Sequence, residues 1–457
     1  MRVLVIGLDS EPPALWTSLE ADLPRLMDLK ARGVFLPLRS TDPPITVPAW
    51  ISMLSGRDPG ELGIYGFRNR SGHGYEGLYT VTSKDVKVPR VWDVLTANGL
   101  QSIVLGVPGT SPPVPIRGAM VSDFLTPPGA PYTYPGALAK LVERVAPNYK
   151  VDVEHFRSDE PARIRDEAFA MTEERMNLAK YAMTELPWDF FMVHEIGLDR
   201  IHHAFWQYMD KDHPRYQPDS PYASVVRDYH RYLDERIGEL VDAAPDDTVI
   251  FVVSDHGSRP MAGGVFVNDW LRREGLLTLR EEPASGQRFS TGLVDFSRTR
   301  AWAEGGYYAR VFLNVKDREP EGVVGLEEVD GLCRRITQGL TDLVPGTVGV
   351  RPGEVYRESL GVPPDLMVYL GGLGHRALAT VGHPELLTLD NDTGPDGANH
   401  DAYGVFLAST PAESPSRLLC RKEGEASILD VAATFLAPFG LAQALPGTPI
   451  VEVAHRG

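Results

Sequence analysis

Cysteine is almost absent from this chain. Only Cys333 and Cys420 occur in 457 residues, with no CxxC spacing, which argues against a disulfide framework or a thiolate zinc site. Uncharged apolar runs of the roughly 20 residues that a membrane-spanning helix needs are missing too. No basic segment precedes a long apolar core at the N-terminus, where MRVLVIGL enters a strand pattern at once. These absences lead us to expect a cytoplasmic protein with no membrane association. Internal repeats and low-complexity tracts are lacking, which excludes a solenoid or a long linker. Basic charge is also in deficit: 45 Lys and Arg against 62 Asp and Glu leave a net charge of −17. That balance argues against a partner that is a nucleic-acid polymer or an anionic membrane surface. A small-molecule partner is expected, and no pattern in the chain signals an oligomeric state.

What is present is a core-forming pattern. Short apolar runs occur at 2–8, 101–107, 119–123, 189–194, 248–254, 366–370 and 403–408. They are apolar on both faces, as strands of a buried parallel sheet require. Helical patterns separate them at 24–32, 47–54, 91–98, 136–145, 161–184, 222–243 and 426–435. Alternation of this kind predicts an α/β fold, doubly wound, with a mostly parallel central sheet flanked by helices. Residues 258–394 break the rhythm with a helix at 326–340 and repeated Gly/Pro interruptions. We read 1–257 and 395–457 as the core and 258–394 as a cap insertion, with part of 363–372 assigned to the core sheet.

The residues that carry chemistry stand where such a sheet ends. Asp9 follows the first apolar run, and Asp255-His256 follow DDTVIFVVS. Side chains at the carboxyl ends of parallel strands face the crevice where ligands bind. In HEIGLDRIHHAFW, Asp199 and His203 share one helical face at i,i+4; spacing alone favours His203 over His202. His400 lies in the loop GPDGANHDAYG. Thr46 opens PPITVPAWISMLSG, where it reads as a helix N-cap followed by Pro48, with Gly56 as the C-terminal cap. A hydroxyl there lies beside free backbone N–H groups and the positive end of the helix dipole, a place that suits phosphate. The collection points to two-metal phosphate-ester hydrolysis, with Thr46 as nucleophile. Of the 12 histidines, His73, His213, His230 and His455 are read as bystanders. Glu195 and Arg200 are read as a helix ion pair, Trp50, Phe205 and Trp206 as core or crevice wall, and Tyr307 and Tyr308 as pocket lining.

Taken in order, GLD at 7–9, PPITVPAWISMLSG at 43–56, DPGELGI at 58–64, LDRIHHAFW at 198–206, VSDHG at 253–257 and GANHDAYGVFLAS at 397–409 resemble the alkaline phosphatase superfamily. The nearest branch is the type I phosphodiesterase/nucleotide pyrophosphatase family. The resemblance implies two divalent ions, Zn²⁺ or alternatively Mn²⁺, one held by Asp9, Thr46, Asp255 and His256 and the other by Asp199, His203 and His400. It also implies a phosphothreonine intermediate and cleavage of a phosphodiester or pyrophosphate bond in a small phosphate-ester substrate. Where relatives read HGI after the nucleophile helix, this chain has Leu62-Gly63-Ile64. The asparagine with which they contact phosphate falls here on Phe67. Asn69, Arg57, Arg68 and Arg70 therefore become the candidate substrate contacts. Thr46-Val47-Pro48-Ala49-Trp50 does not match the CxPxR frame of formylglycine sulfatases. Alternatives within the superfamily are a phosphomonoesterase, a phosphonate hydrolase or a phosphoryl transferase. Outside it stands a non-catalytic metal- or ligand-binding protein, disfavoured because every ligand type is present.

Overall fold

The structure is a computed structural model that describes residues 1–414 and 416–455. Its centre is a nine-stranded sheet in the order 426–427, 34–39, 403–409, 248–253, 2–8, 190–195, 102–105, 118–121, 133–134. The first strand, Arg2–Leu8, lies parallel between Phe190–Glu195 and Thr248–Val253. Its alternate side chains feed two separate cores. Leu4, Ile6 and Leu8 pack under the helices Pro161–Glu185, Gly197–Met209 and Val225–Ala243. Val3 and Val5 pack under Thr46–Ser55, Val91–Ala97 and Val431–Leu436 on the other face. Burial on both faces is why these strands read as continuous apolar runs rather than alternating ones.

Two strands run against the majority. Tyr403–Ser409 is antiparallel to both Thr248–Val253 and Val34–Arg39, and Thr133–Tyr134 is antiparallel to Gly118–Val121. Val34–Arg39 gave no sequence signal, because Pro37 interrupts it and its residues are only half-buried. The helical pattern at 426–435 resolves into a two-residue strand, a 3₁₀ turn and a helix that starts only at Val431.

Residues between Val265 and Val381 gather a third hydrophobic core. Strands 301–304, 309–313, 366–369 and 348–350 form an antiparallel sheet under the helix Val329–Leu343. Trp302, Phe312 and Ile336 fill the space beneath. The expectation that part of 363–372 joins the central sheet is corrected here: Leu366–Tyr369 pairs with 309–313 and 348–350. A short apolar run is buried equally well in either sheet, so its pattern does not say which one. Among the described residues no helix is long and apolar enough to cross a membrane.

Candidate active site

Local folding sets the position of each polar side chain. The first strand stops at Leu8 and delivers Asp9 to the crevice, fully buried. Beside it Gly7 has no side chain for a reason. A Cβ there would come within 2.6 Å of the Trp50 ring. That close approach lets Trp50 Nε1 donate to Asp9 Oδ2 at 2.9 Å, while His194 Nε2 meets the same oxygen at 2.8 Å. Trp50, expected only as wall, thus holds a carboxylate. His194, which sequence reasoning overlooked in HEIGLD, does the same from the neighbouring strand.

Thr46 is the first helical residue rather than the cap. Ile45 occupies the cap position in extended geometry, and no side chain caps the helix. The one-residue shift matters chemically, since a capping hydroxyl would be engaged by its own backbone. Thr46 Oγ1 instead points across the crevice to His256 Nε2 at 3.2 Å. Gly56 closes the helix in the left-handed region at φ 70°, as its position predicts.

Two sets of ligand-type atoms meet at His256 and His400, the first of which touches this hydroxyl. Asp9, Asp255 and His256 form one cluster; Asp199, His203 and His400 form the other. Each histidine is oriented by its second nitrogen. His256 Nδ1 donates to Gly257 O at 3.0 Å, His400 Nδ1 to Pro44 O at 2.9 Å, and His203 Nδ1 meets Asp396 Oδ1 at 2.7 Å. A carbonyl only accepts, so Nε2 of His256 and His400 is left as an inward lone pair. The two rings stack at 3.8 Å. Asp396, also unforeseen, bridges His203 to Arg157 Nε at 2.8 Å and Arg376 Nη1 at 3.2 Å through its other oxygen. It sits four residues before His400 in the same loop motif.

The electrostatics demand a cation. Asp9 Oδ1, Asp199 Oδ1, Asp255 Oδ2 and His400 Nε2 are buried with no hydrogen-bond partner. Burial, reinforced by the charge of Asp199, pushes the Asp9 carboxyl up to about 7. Burial and Asp9 together push Asp255 well above the usual carboxylate range. Burial opposes charge on Asp199 as well, but His203 and Arg200 outweigh it and hold that carboxyl well below its ordinary value. Four unsatisfied donor atoms of mixed carboxylate and imidazole type are a metal-ligand set.

Above the site lies a cavity of about 280 Å³ lined by Ile45, Phe67, Phe156, Tyr307 and Tyr308 with five arginines, Arg68, Arg157, Arg200, Arg310 and Arg376. Tyr307 comes from the cap, stacks on His400 at 3.8 Å and places its hydroxyl 3.2 Å from His203 Nε2. Arg200 grips Asp152 with two bonds of 2.8 Å and also touches Asp199, so it braces a ligand rather than pairing with Glu195. Of the four candidate substrate contacts, the structure brings only Arg68 to this cavity. Arg57 pairs with Glu61. Asn69 uses its amide within the turn, accepting from Tyr65 N at 2.8 Å and donating to Gly66 O at 3.0 Å. Arg70 is buried against Trp302 and Phe312 in the cap interior. The cap, folded from distant sequence, engages Arg70, while Arg57 and Asn69 are engaged by their own loop.

A large mostly parallel sheet with a ligand-type cluster at the carboxyl ends of its strands places the chain among the α/β enzymes that bind their ligands at that edge. The type I phosphodiesterase / nucleotide pyrophosphatase profile matches residues 3–370, and the chain belongs to that family. The family's members are divalent-metal-dependent phosphohydrolases. Human ectonucleotide pyrophosphatase/phosphodiesterase 5 is similar in structure, with a TM-score of 0.56 at 15% identity, covering 98% of this chain and 96% of its own. Phosphonoacetate hydrolase from Sinorhizobium meliloti, solved with phosphonoacetate, matches with a TM-score of 0.61 at 16% identity, covering 97% and 96%. No curated protein matches the sequence.

Proposed function

We propose that the protein hydrolyses a phosphodiester or pyrophosphate bond of a small substrate through a covalent intermediate on Thr46. The observation that carries this reading is the pair of buried carboxylate-imidazole clusters with four unsatisfied ligand atoms, one member of which, His256, meets the Thr46 hydroxyl at a helix N-terminus. Asp9, Thr46, Asp255 and His256 would hold one divalent ion, and Asp199, His203 and His400 a second. Two such ions, Zn²⁺ by donor type with Mn²⁺ the alternative, would supply positive charge to stabilise the transferring phosphoryl group. Thr46 Oγ attacks phosphorus, the bond to the leaving group breaks, and water then cleaves the phosphothreonine. The helix N-terminus contributes free N–H groups toward the phosphoryl oxygens. Burial of the site excludes bulk water, so each fixed charge acts at higher strength.

The arginine-lined cavity supports a substrate with a second negative group beyond the scissile bond. A pyrophosphate linkage meets that requirement, and so does a carboxylated phosphonate, the kind of ligand seen with the bacterial structural neighbour. Hydrolysis of bis-p-nitrophenyl phosphate, p-nitrophenyl phosphate, a diphosphate diester and phosphonoacetate by the zinc-loaded enzyme tests the choice. The expected order places the diphosphate diester first. Strongest turnover of phosphonoacetate moves the assignment to phosphonate hydrolysis, and preference for the monoester moves it to a phosphatase. Activity that survives in Thr46→Ala overturns the nucleophile.

A further inference from the structure

Successive residues on a helix point about 100° apart, and the chain exploits this at His202-His203. His203 faces Asp199 and His400. His202 turns away from them and meets Glu11 and His230, and the three side chains are buried, with ligand-type atoms all within 4.8 Å of one another. His230, read from sequence as a bystander, is therefore part of a built cluster.

Hydrogen bonding orients this cluster as firmly as the catalytic one. His230 Nδ1 lies 2.7 Å from Val226 O and must donate to it. In the neutral ring Nε2 is then a lone pair, yet it lies 3.0 Å from Glu11 Oε2, itself an acceptor. Two acceptors at that separation need a proton or a metal ion between them. A proton on His230 meets this contact alone. Glu11 Oε1 and His202 Nε2, both buried, still have no partner. His202 Nδ1 is engaged with Ser10 Oγ at 3.1 Å, which leaves Nε2 aimed into the cluster. One divalent cation satisfies all three side chains at once.

We infer that Glu11, His202 and His230 form a third divalent-cation site, separate from the catalytic pair and sharing no residue with it. Two imidazoles and one carboxylate suit Zn²⁺, with Mn²⁺ or Fe²⁺ the alternatives. The role is positional. Glu11 N donates to Ser254 Oγ at 2.8 Å, and Ser10 N donates to Asp255 Oδ1 at 3.2 Å. Ser10 is held at φ 64°, a left-handed conformation that costs a serine energy and persists where surroundings over-determine it. An ion at Glu11 ties the exit of the first strand to the helices Gly197–Met209 and Val225–Ala243. It thereby fixes the turn from which Asp9 and Asp255 reach the crevice.

The test is metal content. Enzyme stripped by chelator and dialysed against Zn²⁺ is counted by mass spectrometry of the metal, alongside Glu11→Gln and His230→Gln. The expected result is three ions per wild-type chain and one fewer in either variant, with a lowered Tm. A wild-type count that neither substitution changes overturns the inference and leaves a proton-bridged ion pair. If neither variant folds, Asp9→Asn/Asp255→Asn/Asp199→Asn/His400→Asn decides, since it removes two ligands from each catalytic set. One residual ion per chain supports the third site, and none overturns it. Because this last count does not depend on catalysis, failure of the phosphodiesterase reading remains distinguishable from failure of this one.

Discussion

The floor and the roof of the crevice make opposite demands. The floor is built at the ends of core strands and on the helix Gly197–Met209, and it gathers the carboxylates Asp9, Asp199 and Asp255 in full burial. The roof is largely the work of the cap, which contributes Tyr307, Arg310 and Arg376, joined from the core side by Arg68 and Arg157. The floor carries unsatisfied carboxylate oxygens, and the roof carries arginines, two of which Asp396 already holds. On the proposed function a phosphate ester held on metal ions would supply the counter-charge to both, and the boundary between the two regions would be where chemistry separates from selection. Changes to the floor are expected to alter turnover whatever the substrate, and changes to the roof to alter which substrate is taken.

The strongest break of that comparison is Thr46→Ala. Turnover should fall on the order of 10⁴-fold for every substrate, as for a lost covalent nucleophile, while the metal count holds. Stopped-flow and metal analysis of the same preparation check both halves. Asp396→Asn comes next. It loosens His203 from below, and metal affinity at the Asp199–His203–His400 position should drop about 10–100-fold, read by competition with a chelator of known affinity.

Acidity should act on the floor alone. Asp9 titrates at about 7 in the metal-free protein because burial disfavours its charge. A metal ion takes only the ionised form, so a falling pH returns the proton that the ion must displace. Metal affinity should therefore weaken below pH 7, by roughly tenfold per pH unit for each proton displaced. Metal titrations at pH 8 and pH 6 measure the slope, and a flat profile would detach Asp9 from the metal. The smallest expected effect sharpens the roof. Arg310→Met should raise KM for a substrate with an anionic leaving group by about fivefold, on the order of 1 kcal/mol. Bis-p-nitrophenyl phosphate, whose leaving group lacks a second phosphate, should show no such change.

The two regions also differ in how far sequence reveals them. Most floor residues announce themselves because they follow a buried strand or lie at helical spacing, local patterns that survive in one dimension. Asp9 after MRVLVIGL, Asp255-His256 after TVIFVVS, and Asp199 four residues before His203 are of this kind, and the fold brings all seven proposed ligands together. Their supports were harder to see. His194, Trp50 and Asp396 act on other side chains through single hydrogen bonds, and no spacing encodes such partners. Roof residues were least legible. Arg70 looked available beside the nucleophile helix, but Trp302 and Phe312 cover it from far along the chain. The same distance in sequence hid Arg310 and Arg376. The run at 366–370 was recognisable as a strand, and only tertiary pairing assigns it to the cap.

Asp396 is where the two regions touch. One oxygen orients His203 in the floor, and the other holds Arg157 and Arg376 in the roof. Burial tends to raise its carboxyl, yet His203 and the two arginines keep it ionised well below the ordinary range. An anion that draws those arginines toward itself therefore leaves more of the Asp396 charge to His203, and so to any ion that His203 holds. Thermodynamic reciprocity makes the exchange run both ways. Substrate should tighten the metal, the metal should tighten substrate, and departure of the anionic product should loosen both together.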